Sequence, residues 1–294
     1  MFMKRRIVTA VTGGIGDFLV AIPTYKALHE RSPSSKIILF GTNKSVVDLA
    51  KSIPYIYSAR LLEFWSLAKS PILFYTFYFN RKFIEYYHFD FQRIPLSWGY
   101  NKSVKEIIPE VCDIELRNST IELFFTEKQE RKALDSLAPY KNIVIMHIQS
   151  RSSKNHHWPI ENWIELVKLL PQYTFIQLGN IDEPYVAGAV DWRGKTTLVE
   201  AFCLLKYSTS FVGIDSSFAH ATNAFDIPGV VLFGDSNPIH WGHPNNINIF
   251  KDLPCCCYYE LRGGPCPYGN ACMHLITIDE VKNALIKQVN SKRK

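Results

Sequence analysis

The stretch FVGIDSSFAHATNAFDIPGVVLFGD, residues 211–235, decides the fold class. FVGIDSS opens as an apolar, β-rich run that ends in small polar residues, a helix follows, and GVVLFGD closes as a second strand of the same kind. Two strands joined through a helix pair in parallel with a right-handed crossover, and runs with no polar alternation belong to strands covered on both faces. Upstream, NIVIMHIQ (142–149) and YTFIQLGN (173–180) read as further strands, and ENWIELVKLL (161–170) and TTLVEAFCLLKYS (196–208) as helices.

The N-terminal half follows the same order. Residues 7–11 form a short strand. Phe18, Ala21, Ile22, Tyr25 and Leu28 then recur at helical spacing until Ser32-Pro33, and KIILFGT (36–42) is the next strand. Pro23 lies inside the helical pattern and withholds a partner from the Leu19 carbonyl, so a kink is expected there. A boundary near Ala138-Pro139 divides the chain into two Rossmann-like domains, 1–138 and 139–294, with the ligand expected between them, outside the carboxyl ends of the strands.

The 294 residues are 47% hydrophobic and 20% charged, a composition of folded proteins that excludes disorder. No run is long enough to cross a bilayer, and the N-terminus reads as a first strand and not as a signal peptide, so a cytoplasmic protein is expected. The net charge of +6 includes clusters at 4–6 and 291–294. Beside the reading as solvated surface, these suit a phosphorylated acceptor or an anionic membrane face; nucleic acid is not expected as a partner. The aromatic-rich stretch from Phe64 to Tyr100 is read mainly as core, with an acceptor-binding or membrane-facing surface as the functional alternative.

TGGIGDFLVAIP, residues 12–23, holds the first candidate site. Gly14-Ile15-Gly16 supplies G-x-G, but Leu19 stands where a dinucleotide fingerprint needs its third glycine, and no acidic residue ends the second strand. The glycines allow close backbone approach to a ligand, and Asp17 is either a helix N-cap or a carboxylate presented to substrate.

Residues 211–242 strongly resemble the C-terminal signature of glycosyltransferase family nine, the heptosyltransferases of lipopolysaccharide assembly, at Asp215, Ser216, Ser217, His220, Pro228, Phe233 and Gly234. The resemblance continues through SRSSKNHHWPIENWIEL (150–166), LGNIDE (178–183) and WRGKTTLVE (192–200), and reaches GDFLVAIP (16–23). It is thin between about residues 50 and 130. It implies an α/β GT-B fold of two Rossmann-like domains facing a central cleft. It also implies inverting transfer of a sugar from a nucleotide diphosphate donor, ADP-heptose first, to a bacterial surface glycan or glycolipid at the inner membrane face.

By that resemblance Asp17 is the general base that takes the acceptor proton, and Gly16 belongs to the same turn. The amides of Ser216 and Ser217 face the pyrophosphate, Asp215 orders the turn or contacts the sugar, and His220 donates to phosphate or packs. Where the family has a lysine before the Trp-Pro pair, this chain has His156, so Lys154 or Arg151 takes over leaving-group stabilisation. Gly179 precedes Glu183, which is read against the ribose hydroxyls or as an exposed loop carboxylate, and Thr196 to Leu198 lie near the base.

No cofactor is needed for this chemistry. Four cysteines, Cys255, Cys257, Cys266 and Cys272, fit a structural zinc or iron site, against reduced structural thiols as the default. Two rival readings stand beside the transferase. A nicotinamide-dependent reductase lacks the third glycine and a Tyr-x-x-x-Lys pair, and a sugar-nucleotide-binding or assembly protein without turnover is left open by His156.

Overall fold

The computed structural model describes residues 6–61, 84–90, 101–150, 153–253 and 266–291. The chain divides into two compact units, Met1–Phe124 and Phe125–Lys294.

In the first unit the strands are β1 (Arg6–Thr12), β2 (Lys36–Gly41), β3 (Ile56–Leu61) and β4 (Ile84–Asp90). They form a four-stranded sheet in the order β3-β2-β1-β4, parallel at every pairing. Helix α1 (Ile15–Arg31) connects β1 to β2, α2 (Lys44–Ala50) connects β2 to β3, and α3 (Val104–Val111) packs on α1. Residues Phe18 to Tyr25 of α1 are buried without a break, so this helix is enclosed on more than one face. It runs as one helix from Ile15 to Arg31 with Pro23 inside it, as the sequence reading expects. The ring of Pro23 is itself part of the buried surface, and burial of that face holds the helix together across the missing amide. Tyr25, fully buried on the next turn, donates its hydroxyl to Thr9 Oγ1 on β1 at 3.0 Å.

Within the aromatic-rich stretch, β4 pairs with β1 from Arg6↔Ile84 to Thr12↔Asp90, so this part of it builds the sheet. The rest, 62–83 and 91–100, lies outside the described residues.

The second unit carries β5 (Ile143–His147), β6 (Thr174–Gln177), β7 (Val190–Asp191), β8 (Ser210–Ile214), β9 (Gly229–Phe233) and β10 (Asn246–Phe250). They form a six-stranded parallel sheet in the order β10-β9-β8-β5-β6-β7. Every residue of β5, β8 and β9 is buried, which is why these strands read as unbroken apolar runs. The helices are α4 (Glu127–Leu137), α5 (Ile160–Leu169), α6 (Leu198–Lys206), α7 (Ser217–Ala224), α8 (Pro238–Trp241), α9 (Ala271–His274) and α10 (Ile278–Ser291).

The sequence places 127–137 in the N-terminal domain, whereas α4 belongs to the second unit. It packs on α6, buries Ala133 and Leu137, and ion-pairs Glu130 with Lys206 and Lys132 with Glu200. Helix α10 closes the sheet over β9 and α5. Its cap is Thr277, whose Oγ1 accepts from the Glu280 amide at 3.2 Å while Glu280 accepts from the Thr277 amide at 2.8 Å. None of the described helices is long and apolar enough to cross a membrane.

Candidate functional site

The turn after β1 is built around a carboxylate. Gly13 has φ +151°, and a Cβ there would stand 2.4 Å from Asp17 Oδ2, so both the conformation and the space demand glycine. Helix α1 begins at Ile15 with Gly14 as its cap residue, which puts Asp17 at the third helical position and not at the cap. Its Oδ2 accepts from the Gly14 amide at 2.6 Å, and the side chain is half-buried. Gly16 lies between them in the first turn, also half-buried. A carboxylate on the first turn is favoured by the helix dipole and by the unpaired amides there.

Glu183 occupies a similar turn in the second unit. Gly179, φ +147°, would place a Cβ 2.2 Å from Glu183 Oε2, and Glu183 Oε1 accepts from the Asn180 amide and side chain, each at 2.8 Å. Glu183 is buried, which removes the reading of an exposed loop carboxylate. Arg193 clasps Asp191 through Nε and Nη2, each at 2.8 Å, and donates a third bond to the Glu183 carbonyl. Thr196 and Leu198 flank Thr197, the residue that caps α6.

The densest polar cluster lies where β5, β8 and β9 end. Ser216 is the cap residue of α7, yet its hydroxyl does not cap the helix. It meets His147 Nδ1 at 3.1 Å, and the His147 ring stacks on Phe218 with centroids 4.4 Å apart. The backbone amides of the first turn of α7, beginning at Ser217, thus lack a side-chain cap, the arrangement in which a helix N-terminus receives an anion. Asp215 is buried, accepts from Ser236 Oγ at 2.5 Å, and has Oδ1 4.0 Å from His220 Nε2. His220 is buried too, with Nδ1 2.8 Å from His243 Nε2.

His156 lies on a single 3-10 turn, Lys154–His156. Its Nε2 pairs with Asp235 and its Nδ1 lies 3.3 Å from the Asp215 carbonyl. Asp235 also accepts from Ser153 Oγ at 2.9 Å and Asn155 Nδ2 at 2.8 Å. Burial opposes the charge on His156, but the Asp235 bond and the nearby Asp215 outweigh it and hold the imidazole above its ordinary pKa. For Asp235 burial acts upward, and His156, Asn155 and Ser153 together bring the carboxyl down to about 2. Lys154 on the same turn is exposed.

Thus Asp215, Ser216, Ser217, His220 and His156 gather at one end of the second sheet, and Asp17 and Gly16 share a turn in the first unit. Arg151, Cys255 and Cys257 lie outside the described residues. Cys266 and Cys272 are half-buried, and among the described residues no group of His, Cys, Asp or Glu is placed to hold a metal ion. Sequence reasoning missed His147, Ser153, Asn155, Asp235, Ser236 and His243. His147 and Asp235 could have been found as polar residues closing or following apolar strands; the others carry no comparable signal.

The buried imidazoles set opposite pH arms for stability. Burial pushes His147 down to about 4, so the unfolded chain takes up its proton first. The stability it supports is complete above about pH 6.5 and falls toward pH 4, by on the order of 3 kcal/mol. His156, raised, contributes fully below about pH 6.5, and that contribution is lost as pH rises through its folded pKa. Urea midpoints of the second unit measured from pH 4 to 9 should show both arms. A His147→Gln variant whose acid arm is as steep as the wild type's would refute the assignment.

Residues 101–257 match glycosyltransferase family 9 (heptosyltransferase). The chain belongs to that family. Lipopolysaccharide heptosyltransferase 1 of Pseudomonas aeruginosa is 23% identical over 175 residues, which cover 55% of this chain and 48% of that protein. The match therefore spans about half of that curated relative's length. Among solved structures, the ADP-heptose lipopolysaccharide heptosyltransferase II of E. coli aligns with a TM-score of 0.71 at 15% identity, covering 98% of this chain and 100% of that one. The iron-containing dodecameric glycosyltransferase TibC of enterotoxigenic E. coli aligns with a TM-score of 0.67 at 17% identity, over 100% of this chain and 79% of that one. These likenesses establish the GT-B fold of this family 9 chain.

Proposed function

We propose that the chain is an inverting glycosyltransferase that moves a sugar from a nucleoside diphosphate donor, ADP-heptose by preference, to a hydroxyl of a bacterial surface glycan such as the lipopolysaccharide core. The observation that carries the reading is the Asp215–Ser217 turn of a family 9 chain, an uncapped helix start at the carboxyl end of β8. Amides oriented in that way stabilise the charge that develops on a departing diphosphate without reorganising. Asp17 is assigned as the base that removes the acceptor proton as the anomeric carbon is attacked from the face opposite the leaving group. Lys154, exposed beside the turn, adds positive charge near the phosphates. The ADP-heptose named for the E. coli relative supports the donor assignment.

The second reading, a donor-binding protein without turnover, is favoured by one observation. The residue standing in for the family's lysine, His156, is paired to Asp235. Both readings are tested by incubating the purified chain with ADP-heptose and de-heptosylated core acceptor. Release of ADP coupled to acceptor growth is expected. Tight binding with no ADP released under any acceptor condition would leave the silent protein, and no binding of any nucleoside diphosphate would remove both.

A structural metal held by the cysteines of 255–272 is proposed on the strength of the iron in TibC and the thiol ligand set. Elemental analysis should find close to one iron or zinc per chain, lost in Cys266→Ser; folded protein purified without either metal would rule it out.

A further inference from the structure

We propose that His156 and Asp235 act as a buried positioning pair for the donor turn, holding the Asp215–Ser216 backbone in place, and do not themselves touch the donor phosphates. The inference rests on the donor reading above.

Hydrogen-bond polarity carries the argument. Both groups that face the His156 ring are acceptors, the Asp235 carboxylate at Nε2 and the Asp215 carbonyl at Nδ1. A neutral imidazole carries one N–H and satisfies one of them; only the imidazolium donates to both. Burial of the ring leaves water no access to make up the difference, so the geometry calls for a doubly protonated histidine. A lysine at this position offers a point charge on a flexible stem and cannot bridge the two acceptors in the fixed directions of the ring.

Asp235 is anchored from a second side. Ser153 and Asn155 donate to its Oδ2, and Gly234 lies so close to the 3-10 turn that a Cβ would stand 2.2 Å from the Asn155 carbonyl oxygen. The segments following β5 and β9 are therefore joined, and His156 extends the joint to the end of β8. Three strand ends come to one carboxylate–imidazolium pair, and the start of α7 hangs from the third. Among the described residues, the other charged or titratable groups around the ring are the Asp215 carboxylate, engaged by Ser236 and near His220, and Lys154 and His157 on its own segment. With its charge neutralised by Asp235 and both nitrogens engaged, His156 has no N–H left to offer a phosphate.

The test uses the full chain and ADP as the probe, read by calorimetry, together with donor kinetics. His156→Gln and Asp235→Asn are expected to weaken ADP binding and raise the donor KM about 10–100-fold, the range for losing a hydrogen bond to a charged group. The kcat at saturating donor and the acceptor KM should hold within a few-fold. A purely structural role would lower the active fraction, and so kcat, with KM unchanged; that pattern overturns the proposal, as does wild-type affinity in both variants. Should either variant fail to fold, nitrogen-15 NMR of the wild-type ring decides independently: two protonated nitrogens at pH 7 are expected, and a neutral ring overturns the pairing. A wild type that binds neither ADP nor another nucleoside diphosphate defeats the donor reading itself, a result distinct from a wild type that binds and variants that bind equally well.

Discussion

Asp17→Asn is expected to lower sugar transfer by about 10²–10⁴-fold, the usual contribution of a positioned general base, while ADP affinity stays within a factor of about two. The substitution isolates the chemistry because the turn does not need the charge. An asparagine Oδ1 can still accept from the Gly14 amide that Asp17 holds at 2.6 Å, and the size of the side chain against Gly13 is preserved. The helix-dipole contribution of a half-buried first-turn carboxylate is at most about 2 kcal/mol, too little to unfold the unit. What the amide cannot do is take a proton from an acceptor hydroxyl. Rates of ADP release with acceptor present, alongside calorimetric ADP binding, check the result. Transfer at wild-type rate in Asp17→Asn would reduce this residue to a turn-former and return the question of the base to the rest of the chain.

Trp163→Ala is expected to destabilise the second unit by about 3–5 kcal/mol, the range for removing a large buried aromatic side chain. Trp163 is completely enclosed in α5 and meets Trp158 edge to face with centroids 4.9 Å apart. Trp158 in turn donates its indole N–H to the Ile276 carbonyl at 3.0 Å, just ahead of α10. The cavity would open beneath the segment that follows the 3-10 turn and beside the core shared by Val144, Met146, Ile214 and Leu285. Urea denaturation with a probe confined to the second unit measures the loss. A change below about 1 kcal/mol would mean that the core collapses around the gap far more readily than close-packed interiors do.

Some elements could be read directly from residue order. The strands at 143–147, 211–214 and 229–233 are enclosed on both faces, so they appear as unbroken apolar runs, and the turn residues that end them mark the carboxyl edge of a parallel sheet. Helix α1 was legible in extent, through Pro23 to its end, yet the enclosure of its Phe18–Tyr25 stretch was not. Local propensity prices the lost amide, whereas the buried surface of Phe18 to Tyr25 comes from packing that a helical pattern alone does not measure. Helix α4 shows a similar gap. Its charged face finds partners at Glu200 and Lys206, far along the chain, and these assign it to the second unit.

The candidate site divides along the same line. Asp17, Asp215, Ser216 and His220 were legible because each belongs to a short motif at the end of a strand. The long-range contacts that build the cluster in the second unit were not: Asp235 with Ser153 and Asn155 spans 82 and 80 positions, and His156 with Asp215 spans 59. Such pairs come from strand ends gathered at one edge of a sheet, β5 beside β8 and β9 on the far side of β8, that are separated in sequence by whole crossovers, so no local spacing encodes them.

By itself the sequence determined that this protein is a parallel α/β chain of family 9 type, with a carboxylate on its first glycine turn and a helix that starts at small residues after a buried strand, because periodicity and turn chemistry are local. Tertiary structure alone decided that His156 faces inward between the Asp235 carboxylate and the Asp215 carbonyl. Which acceptors surround a buried ring depends on strands brought side by side, and that proximity exists only in the folded state.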